Sequence, residues 1–358
     1  MRNGKITTDR EAENRAVLRR KLLAWYEANR RNLPWRHTTD PYAIWVSEIM
    51  LQQTRVAAVV ERYQEFLARF PTVPSLAQAS EQDVLALWSG LGYYRRARML
   101  HKAAQRIAEA HSGQMPKSAA ELRTLPGIGA YTAAAVASIA YGERVAVVDG
   151  NVERVLCRLA GWEMDGSAAI KRKVAGLAEQ LVDPRRPGDF NQAMMELGAI
   201  VCLPRNPKCL ACPLVEACRT RGEHKTQRRP PMQSRELARA LVLRVRRESG
   251  KRRGKLIEEV LLEQRLASES VMPGLWELPG LRCTNVPEDD LRMTVRHSIM
   301  QVNYSVRIRS VPEEQVEALT LAGGERRWVS LQAAAGMALT GLARKVLRRA
   351  HLLSAARQ

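Results

Sequence analysis

The sequence has no run of about 18 consecutive apolar residues, so no segment is expected to cross a membrane. Its first residues, M-R-N-G-K-I-T-T-D-R-E, lack the apolar stretch of a secretory signal, and a cytoplasmic protein is expected. It has no internal repeat and no long low-complexity segment. Acidic side chains are in deficit: 37 Asp and Glu stand against 57 Lys and Arg, a formal charge of +20. That excess favours a polyanionic partner, because each cation placed at a phosphate releases a counterion. A merely soluble basic protein is the alternative on charge alone. Cysteines are few, six in all. Cys157 and Cys283 stand alone and are expected as small buried apolar side chains. The other four crowd between Cys202 and Cys218, which in an intracellular chain favours a metal over disulfides.

What is present falls into two compositions. Up to about Cys218 apolar residues recur at three- and four-residue steps, the helical period. Helices are expected over 16–30, over 44–70 with a stop at Pro71, over a stretch closed by Gly113, over "AAIKRKVAGLAEQLV" and over "FNQAMMELGAIVC". Few segments here alternate with period two. The stretch "RTRGEHKTQRRPPMQSRE" has charge, two prolines and no period, and reads as a linker. Beyond it "ARALVLRVRR", "GKLIEEVLLEQR", "QVNYSVRIRSV" and "RRWVSL" read as short strands, and "TGLARKVLRRAHLL" as a closing helix. The expected organisation is an all-α domain over 1–220 with a cysteine loop at 202–218, a linker at 221–236 and an α+β domain over 237–358.

The stretch "LPGIGAYTAAAVASIAYGERVAVVDGNVERV" carries the most chemistry. Its glycines suggest a dinucleotide fingerprint, with Asp149 about 20 residues on. That reading fails twice. Thr132 stands at the third glycine position, and the preceding "SAAELRTL" reads as a helical turn, not a strand. A helix–turn–helix with Leu125, Gly127 and Gly129 in the turn fits better. The glycines let backbone N–H groups approach an anion at a helix N-terminus, and a phosphate diester suits that as well as a pyrophosphate. The alanines that follow make a helix able to lie close to a partner. Asp149 precedes "NVERVLCRLA", so it falls at a helix start, where an N-cap is the simplest role. Cys202, Cys209, Cys212 and Cys218 form a C-x6-C-x2-C-x5-C array, whose thiolates suit either tetrahedral zinc or a four-iron cluster.

Taken together, the hairpin, the Asp in "VVDGNVERV" and the cysteine array resemble the helix-hairpin-helix base-excision DNA glycosylases with an iron–sulfur loop, across about 30–220. The resemblance implies a [4Fe-4S] cluster on Cys202, Cys209, Cys212 and Cys218. It also implies a hairpin, through Leu125, Gly127 and Gly129, that grips the DNA backbone. In the endonuclease III branch a lysine inside the hairpin cleaves the strand; here that position is Tyr131, in "GIGAYTA". The stretches "LPWR", "WVSEIMLQQTRV" and "FNQAMMELGA" resemble the adenine (MutY-type) branch instead. A bifunctional pyrimidine glycosylase/lyase is the alternative, and a non-catalytic DNA-binding protein a third reading.

Removing adenine needs an acid on the base side and a negative charge on the sugar side, as paired carboxylates provide in glycosidases. The resemblance implies Glu48 as the acid that protonates adenine N7 and Asp149 as the carboxylate facing the cationic sugar. Tyr131 and Asn151 are implied to orient them. Glu48 sits among apolar residues in "WVSEIML", where burial would raise its pKa. The base must leave the stack to react. Arg31, Leu33, Trp35 and Gln192 match positions that hold it, and Gln53 and Tyr93 match residues that wedge into the duplex. The implied partner is double-stranded DNA carrying A:8-oxoguanine or A:G mispairs, bound by a monomer.

The second domain resembles a Nudix hydrolase through "MPGLWELPG" (272–280), but no acid-rich Nudix box follows, so binding without hydrolysis is expected. It is implied to inspect the opposite base. Where many relatives carry Phe-Ser-His, this chain reads Ile299-Met300-Gln301. Ser298, nearby in a different register, and Gln301 are the residues expected to read the opposite base; either neighbours such as Gln301 or Asn303 take over, or the preference for 8-oxoguanine over guanine weakens.

Overall fold

The computed structural model describes residues 3–224, 231–247, 256–281, 288–299, 301–319 and 324–353; Cys283 and Met300 lie outside them. The chain divides into two compact units, Met1–Gln78 with Met99–Arg228, and Ala79–Arg98 with Arg229–Gln358. The helices in chain order are α1 (Asn3–Asn29), α2 (Pro41–Leu51), α3 (Val56–Arg69), α4 (Val73–Ala77), α5 (Glu81–Leu87), α6 (Arg95–Ala110), α7 (Ala119–Leu122), α8 (Ala130–Tyr141), α9 (Gly150–Ala160), α10 (Ala168–Leu181) and α11 (Pro187–Ile200). All but α5 and the start of α6 belong to the first unit. Among the described residues no helix is long and apolar enough to cross a membrane.

Helix α2 is apolar on every side, and Tyr42 through Met50 are all buried. A helix of that kind belongs in a core. Asp40 caps it by accepting from the N–H groups of Tyr42 and Ala43, and Pro41 occupies the first turn, where its missing donor costs nothing. The single helix expected over 44–70 is in fact two. It breaks at Gln52–Arg55, with Gln53 at φ +55°, and restarts where the Ala58 N–H donates to the Arg55 carbonyl. No proline or glycine marks this break. A tertiary contact accompanies it: Gln52 Nε2 donates to Thr132 Oγ1 on α8 (3.2 Å).

In the LPGIG turn Gly127 has φ +74°, and a Cβ there would lie 2.4 Å from Met99 Cβ. Glycine is required on both counts. Gly129 precedes α8, and a side chain there would meet nothing within 4 Å. Ala133, Ala134, Ala135 and Ala137 of α8 are buried inside the unit, where α8 packs on α2 and α11, so their small size serves internal packing; only Ala130, at the start of the helix, is exposed. The loop between α8 and α9 is pinned by Asn191, which accepts from the Val147 N–H (3.1 Å) and donates to the Val145 carbonyl (2.9 Å). Helices α9 and α11 meet where Gly198 faces Asn151: a Cβ on Gly198 would lie 2.7 Å from Asn151 Cβ. Leu22, Tyr26, Leu156, Phe190 and Leu197 fill the core beneath them, with Cys157 fully buried among them.

The second unit is built on two sheets. Strands β1 (Gln233–Leu241), β6 (Val302–Ser310) and β5 (Leu291–Ile299) form one in the order β1-β6-β5, with β1 parallel to β6 and β5 antiparallel to it. Strands β2 (Leu243–Arg247), β3 (Leu256–Gln264) and β4 (Trp276–Glu277) form the other, with β7 (Arg326–Ser330) also paired to β3. Helices α12 (Leu331–Ala335) and α13 (Gly341–Arg349) complete it, and Val260, Trp276, Val306, Leu342 and Val346 lie at its core. Strand β1 starts at Gln233, inside the stretch that composition marks as linker. The Ala79–Arg98 segment joins this unit: Tyr94 OH donates to the Leu339 carbonyl (3.1 Å) and Arg344 Nε to Ser89 Oγ (2.7 Å).

Candidate active site

A cleft of about 610 Å³ opens in the first unit. Of the sequence-derived candidates, Arg31, Leu33, Trp35, Glu48, Gln53, Tyr131, Asp149, Asn151 and Gln192 all line it. They come from five places in the fold. The loop after α1 brings Arg31, Leu33 and Trp35, and α2 with its broken end brings Glu48 and Gln53. The remaining four lie on α8, at the start of α9 and on α11.

Glu48 is 6% exposed. Burial is the main force on its carboxyl and lifts its pKa to about 7; the neighbouring Asp149 adds to the rise, while Tyr131 and Arg36 oppose it. Tyr131 OH donates to Glu48 Oε2 (2.6 Å) and also meets Met195 Sδ at 3.3 Å. The buried phenol is itself held well above its ordinary pKa, so it stays a donor. Asp149 is the N-cap of α9. One of its oxygens accepts from the Val152 N–H (2.7 Å) and the other from Asn151 Nδ2 (3.0 Å). The expected N-cap role is thus met by a side chain that also lines the cleft. Asn151 is fixed in turn by Arg154, whose Nη2 donates to Asn151 Oδ1 and to the Gly198 carbonyl (2.8 Å each). The cleft therefore offers an acid that titrates near neutrality and a second carboxyl held rigidly by N–H donors, within electrostatic reach of each other.

On the opposite wall Trp35 packs edge-on against Tyr63, with centroids 5.4 Å apart. Gln192 Oε1 accepts from Tyr26 OH (3.2 Å), leaving its amide donors toward the cleft. Sequence reasoning missed two members of this wall. Glu196 is 1% exposed and accepts from Arg31 (Nε 2.9 Å, Nη2 2.7 Å) and Arg36 (Nη1 3.1 Å, Nη2 2.6 Å). Burial alone would raise its pKa, but the hydrogen bonds from Arg31 and Arg36 win and hold it at about 2. The signal was the one that exposed Glu48, a lone acid inside an apolar helical run, here "AMMELGA". Two guanidiniums converging on this one buried carboxylate fix Arg31, itself partly exposed, at the cleft edge.

The remaining candidates lie elsewhere. Leu125, Gly127 and Gly129 form the turn before α8 and do not line the cleft. Tyr93, Ser298 and Gln301 belong to the second unit. Tyr93 is 48% exposed at φ +47°, with the Arg96 guanidinium 5.5 Å from its ring centroid. Ser298 Oγ donates to Asn303 Oδ1 (2.6 Å) across the β5–β6 hairpin, and Gln301 is exposed in its turn.

Cys202, Cys209, Cys212 and Cys218 line one small cavity of their own in the first unit. All are free thiols. Among the described residues no three His, Cys, Asp or Glu side chains are grouped so as to hold a single metal ion. Burial, with the neighbouring sulfurs adding, pushes the Cys212 thiol up to about 11. Arg158 is 2% exposed beneath the loop; its Nη1 reaches Cys202 Sγ (3.3 Å) and its carbonyl accepts from Cys218 Sγ (3.3 Å). Four sulfurs round one cavity, with a guanidinium against one of them, are a donor set that suits a metal group bound through sulfur.

Residues 46–180 match the model of the HhH-GPD superfamily of base excision DNA repair proteins. The chain is 48% identical over 222 residues to the human adenine DNA glycosylase, covering 59% of this chain and 41% of that protein. It is 42% identical over 231 residues to the adenine DNA glycosylase of Schizosaccharomyces pombe, covering 59% and 50% respectively. The chain thus spans about two fifths to one half of the length of these relatives. Among solved structures, a thermostable thymine-DNA glycosylase is 31% identical with a TM-score of 0.55, over 58% of this chain and 97% of that one. A match over nearly the whole of that glycosylase, joined to the superfamily match across the cleft-forming helices, establishes that the chain belongs to the HhH-GPD superfamily of base excision DNA repair proteins.

Proposed function

We propose that this chain is a monofunctional adenine DNA glycosylase of base excision repair, acting on adenine opposite 8-oxoguanine or guanine in double-stranded DNA. One observation carries the reading: a buried carboxyl whose pKa burial lifts to about 7 and a rigidly capped carboxyl line the same cleft. Its relatives named adenine DNA glycosylases support the choice of base. Glu48 donates its proton to a ring nitrogen of the extruded adenine, which turns a poor leaving group into a neutral one. Asp149 faces the sugar and stabilises the cation that develops as the bond lengthens. Tyr131 holds the Glu48 carboxyl in register, and Asn151, anchored by Arg154, does the same for Asp149. Arg31, Leu33, Trp35 and Gln192 receive the base. Gln53 and Tyr93, each at positive φ, are the residues proposed to wedge into the duplex. The hairpin through Leu125, Gly127 and Gly129 takes the phosphate backbone, helped by the open approach at Gly129.

Tyr131 offers no amine, so no Schiff base forms with the sugar and the strand stays intact. The assay is excision from A:8-oxoguanine and A:G duplexes, scored for strand breaks before and after alkali. Breaks that need alkali, with faster release opposite 8-oxoguanine, are expected. Strand scission without alkali would overturn the monofunctional reading. Equal rates on the two mispairs would overturn the assignment of Ser298 and Gln301 as readers of the oxidised base.

Cys202, Cys209, Cys212 and Cys218 would hold a [4Fe-4S] cluster. Bound there, the group would cross-link the loop and fix its basic residues without entering the reaction. Purified protein is expected to be brown, with about four irons per chain; a colourless protein with one zinc per chain would contradict the assignment.

A further inference from the structure

The wall of the first unit's cleft includes a reactive side chain that base removal does not use. Two methionines stand side by side on α11, in the run A-M-M-E-L, and meet different environments. Met194 is buried in the core, as is Met50 on α2. Met195 is only partly buried: it packs on the cluster of Ala134, Ala135 and Val147 and also lines the cleft of about 610 Å³. A thioether reached through an opening of that size is accessible to small solutes, and access to sulfur governs methionine oxidation.

The place of that sulfur gives its oxidation a consequence. Tyr131 OH lies 3.3 Å from Met195 Sδ and 2.6 Å from Glu48 Oε2. A phenol has one proton to donate, and a thioether is a weak acceptor. Set between the two, Tyr131 gives its proton to the carboxyl and leaves the sulfur lone pairs largely unengaged. A sulfoxide reverses that preference, because its oxygen is polar and a strong acceptor where the sulfur was neither.

We propose that Met195 is an oxidation site through which a peroxide switches the cleft off: the sulfoxide oxygen takes the Tyr131 hydroxyl away from Glu48. A sulfur lone pair attacks one oxygen of hydrogen peroxide, and the S–O bond forms as the O–O bond breaks. The departing hydroxide takes the proton of the new S–OH and leaves as water. The sulfur is oxidised by two electrons and the peroxide reduced by two. With the phenol proton on the sulfoxide, the hydrogen bond between Tyr131 and Glu48 runs the other way, from the acid to the phenol oxygen. The proton meant for the base is then held inside the wall. This consequence rests on the reading of Glu48 as the acid, whereas the oxidation of Met195 does not. Asp149 and the N–H groups it accepts from are untouched, so duplex binding persists.

Treating the full chain with hydrogen peroxide, then catalase, tests it. Part of the sample is digested for peptide masses, and the rest is assayed for single-turnover excision from an A:8-oxoguanine duplex. Met195 is expected to gain one oxygen while Met50 stays unmodified, and excision to slow about tenfold or more with duplex binding within a few-fold. The two methionine sulfoxide reductases, one for each epimer, with a dithiol as reductant, are expected to restore mass and rate together. Met195→Leu conserves volume and, compared with its own untreated form, is expected to keep its rate. That comparison separates this sulfur from the exposed Met164 and Met232 and from the cysteine loop. Mass and rate of the parent keep the test decisive if Met195→Leu folds poorly. An untreated parent that does not excise adenine would overturn the glycosylase reading and the switch with it, while the masses still report the oxidation. With an active parent, no oxygen on Met195, a full rate with Met195 oxidised, a loss the reductases do not repair, or an equal loss in Met195→Leu would overturn the inference alone.

Discussion

Replacing Asp149 with Asn is expected to abolish adenine excision, by about a thousandfold or more, while mispair binding stays within a few-fold of the parent. The substitution removes one negative charge and little else. Asn is as good an N-cap as Asp, so its side-chain oxygen can still accept from the Val152 N–H and α9 keeps its start. The Asn151 amide loses a charged acceptor but can keep a neutral one. A fold defect would lower binding and excision together, whereas loss of the charge facing the sugar lowers excision alone. Single-turnover excision kinetics beside a binding titration on the same duplex read both. Turnover within a factor of ten of the parent would sink the role given to Asp149.

Glu48→Gln is the second large effect, about a hundredfold to ten-thousandfold in the excision rate. Glutamine keeps an oxygen to accept from Tyr131 but has no proton acidic enough to give. The raised pKa of about 7 sets the pH profile of the parent. With Glu48 as the proposed acid the protonated form is the active one, so the rate is expected to be flat below pH 7 and to fall toward tenfold per unit above it; the variant is expected to lack this limb. The same group leaves a mark on stability. Its native pKa lies above the ordinary carboxyl value of 4.5, so between pH 4.5 and 7 the native state binds more protons than the unfolded chain. Its contribution is therefore fully present below pH 4.5 and is lost as pH rises through 7. Urea midpoints at pH 5 and pH 8 should differ less in Glu48→Gln than in the parent. An identical pH slope would show that this carboxyl is not held protonated by burial.

The sequence made the cleft legible where a residue's chemistry conflicts with its surroundings. Glu48 stands in a helix that is apolar all round, and burial of that helix leaves the acid only two fates, pairing or function. Glu196 shows both: its conflict with "AMMELGA" is as plain, yet its two arginine partners come from a loop some 160 residues away, which no local pattern reveals. The break after α2 was hidden for a related reason. Q-Q-T-R has no helix breaker, and the contact that accompanies the left-handed turn at Gln53, Gln52 to Thr132, is long-range. Strand β5 was overlooked although its signal is present, since Leu291, Met293, Val295 and Ile299 alternate with polar residues. The grouping of Ala79–Arg98 with the second unit rests on contacts such as Tyr94 to Leu339, far apart in sequence, and has no local signature.

The meeting of Gly198 with Asn151 has a consequence for how such a cleft changes over evolution. Helix α11 carries Gln192 and Glu196, and Asp149 caps the start of α9, so the spacing of these two cleft walls is gauged by a hydrogen where other residues have a Cβ. Adding even one carbon there acts as a shim between the two helices, displacing both walls without altering any group that touches the substrate. The width of the cleft can thus drift through a position that no inventory of reactive side chains would include.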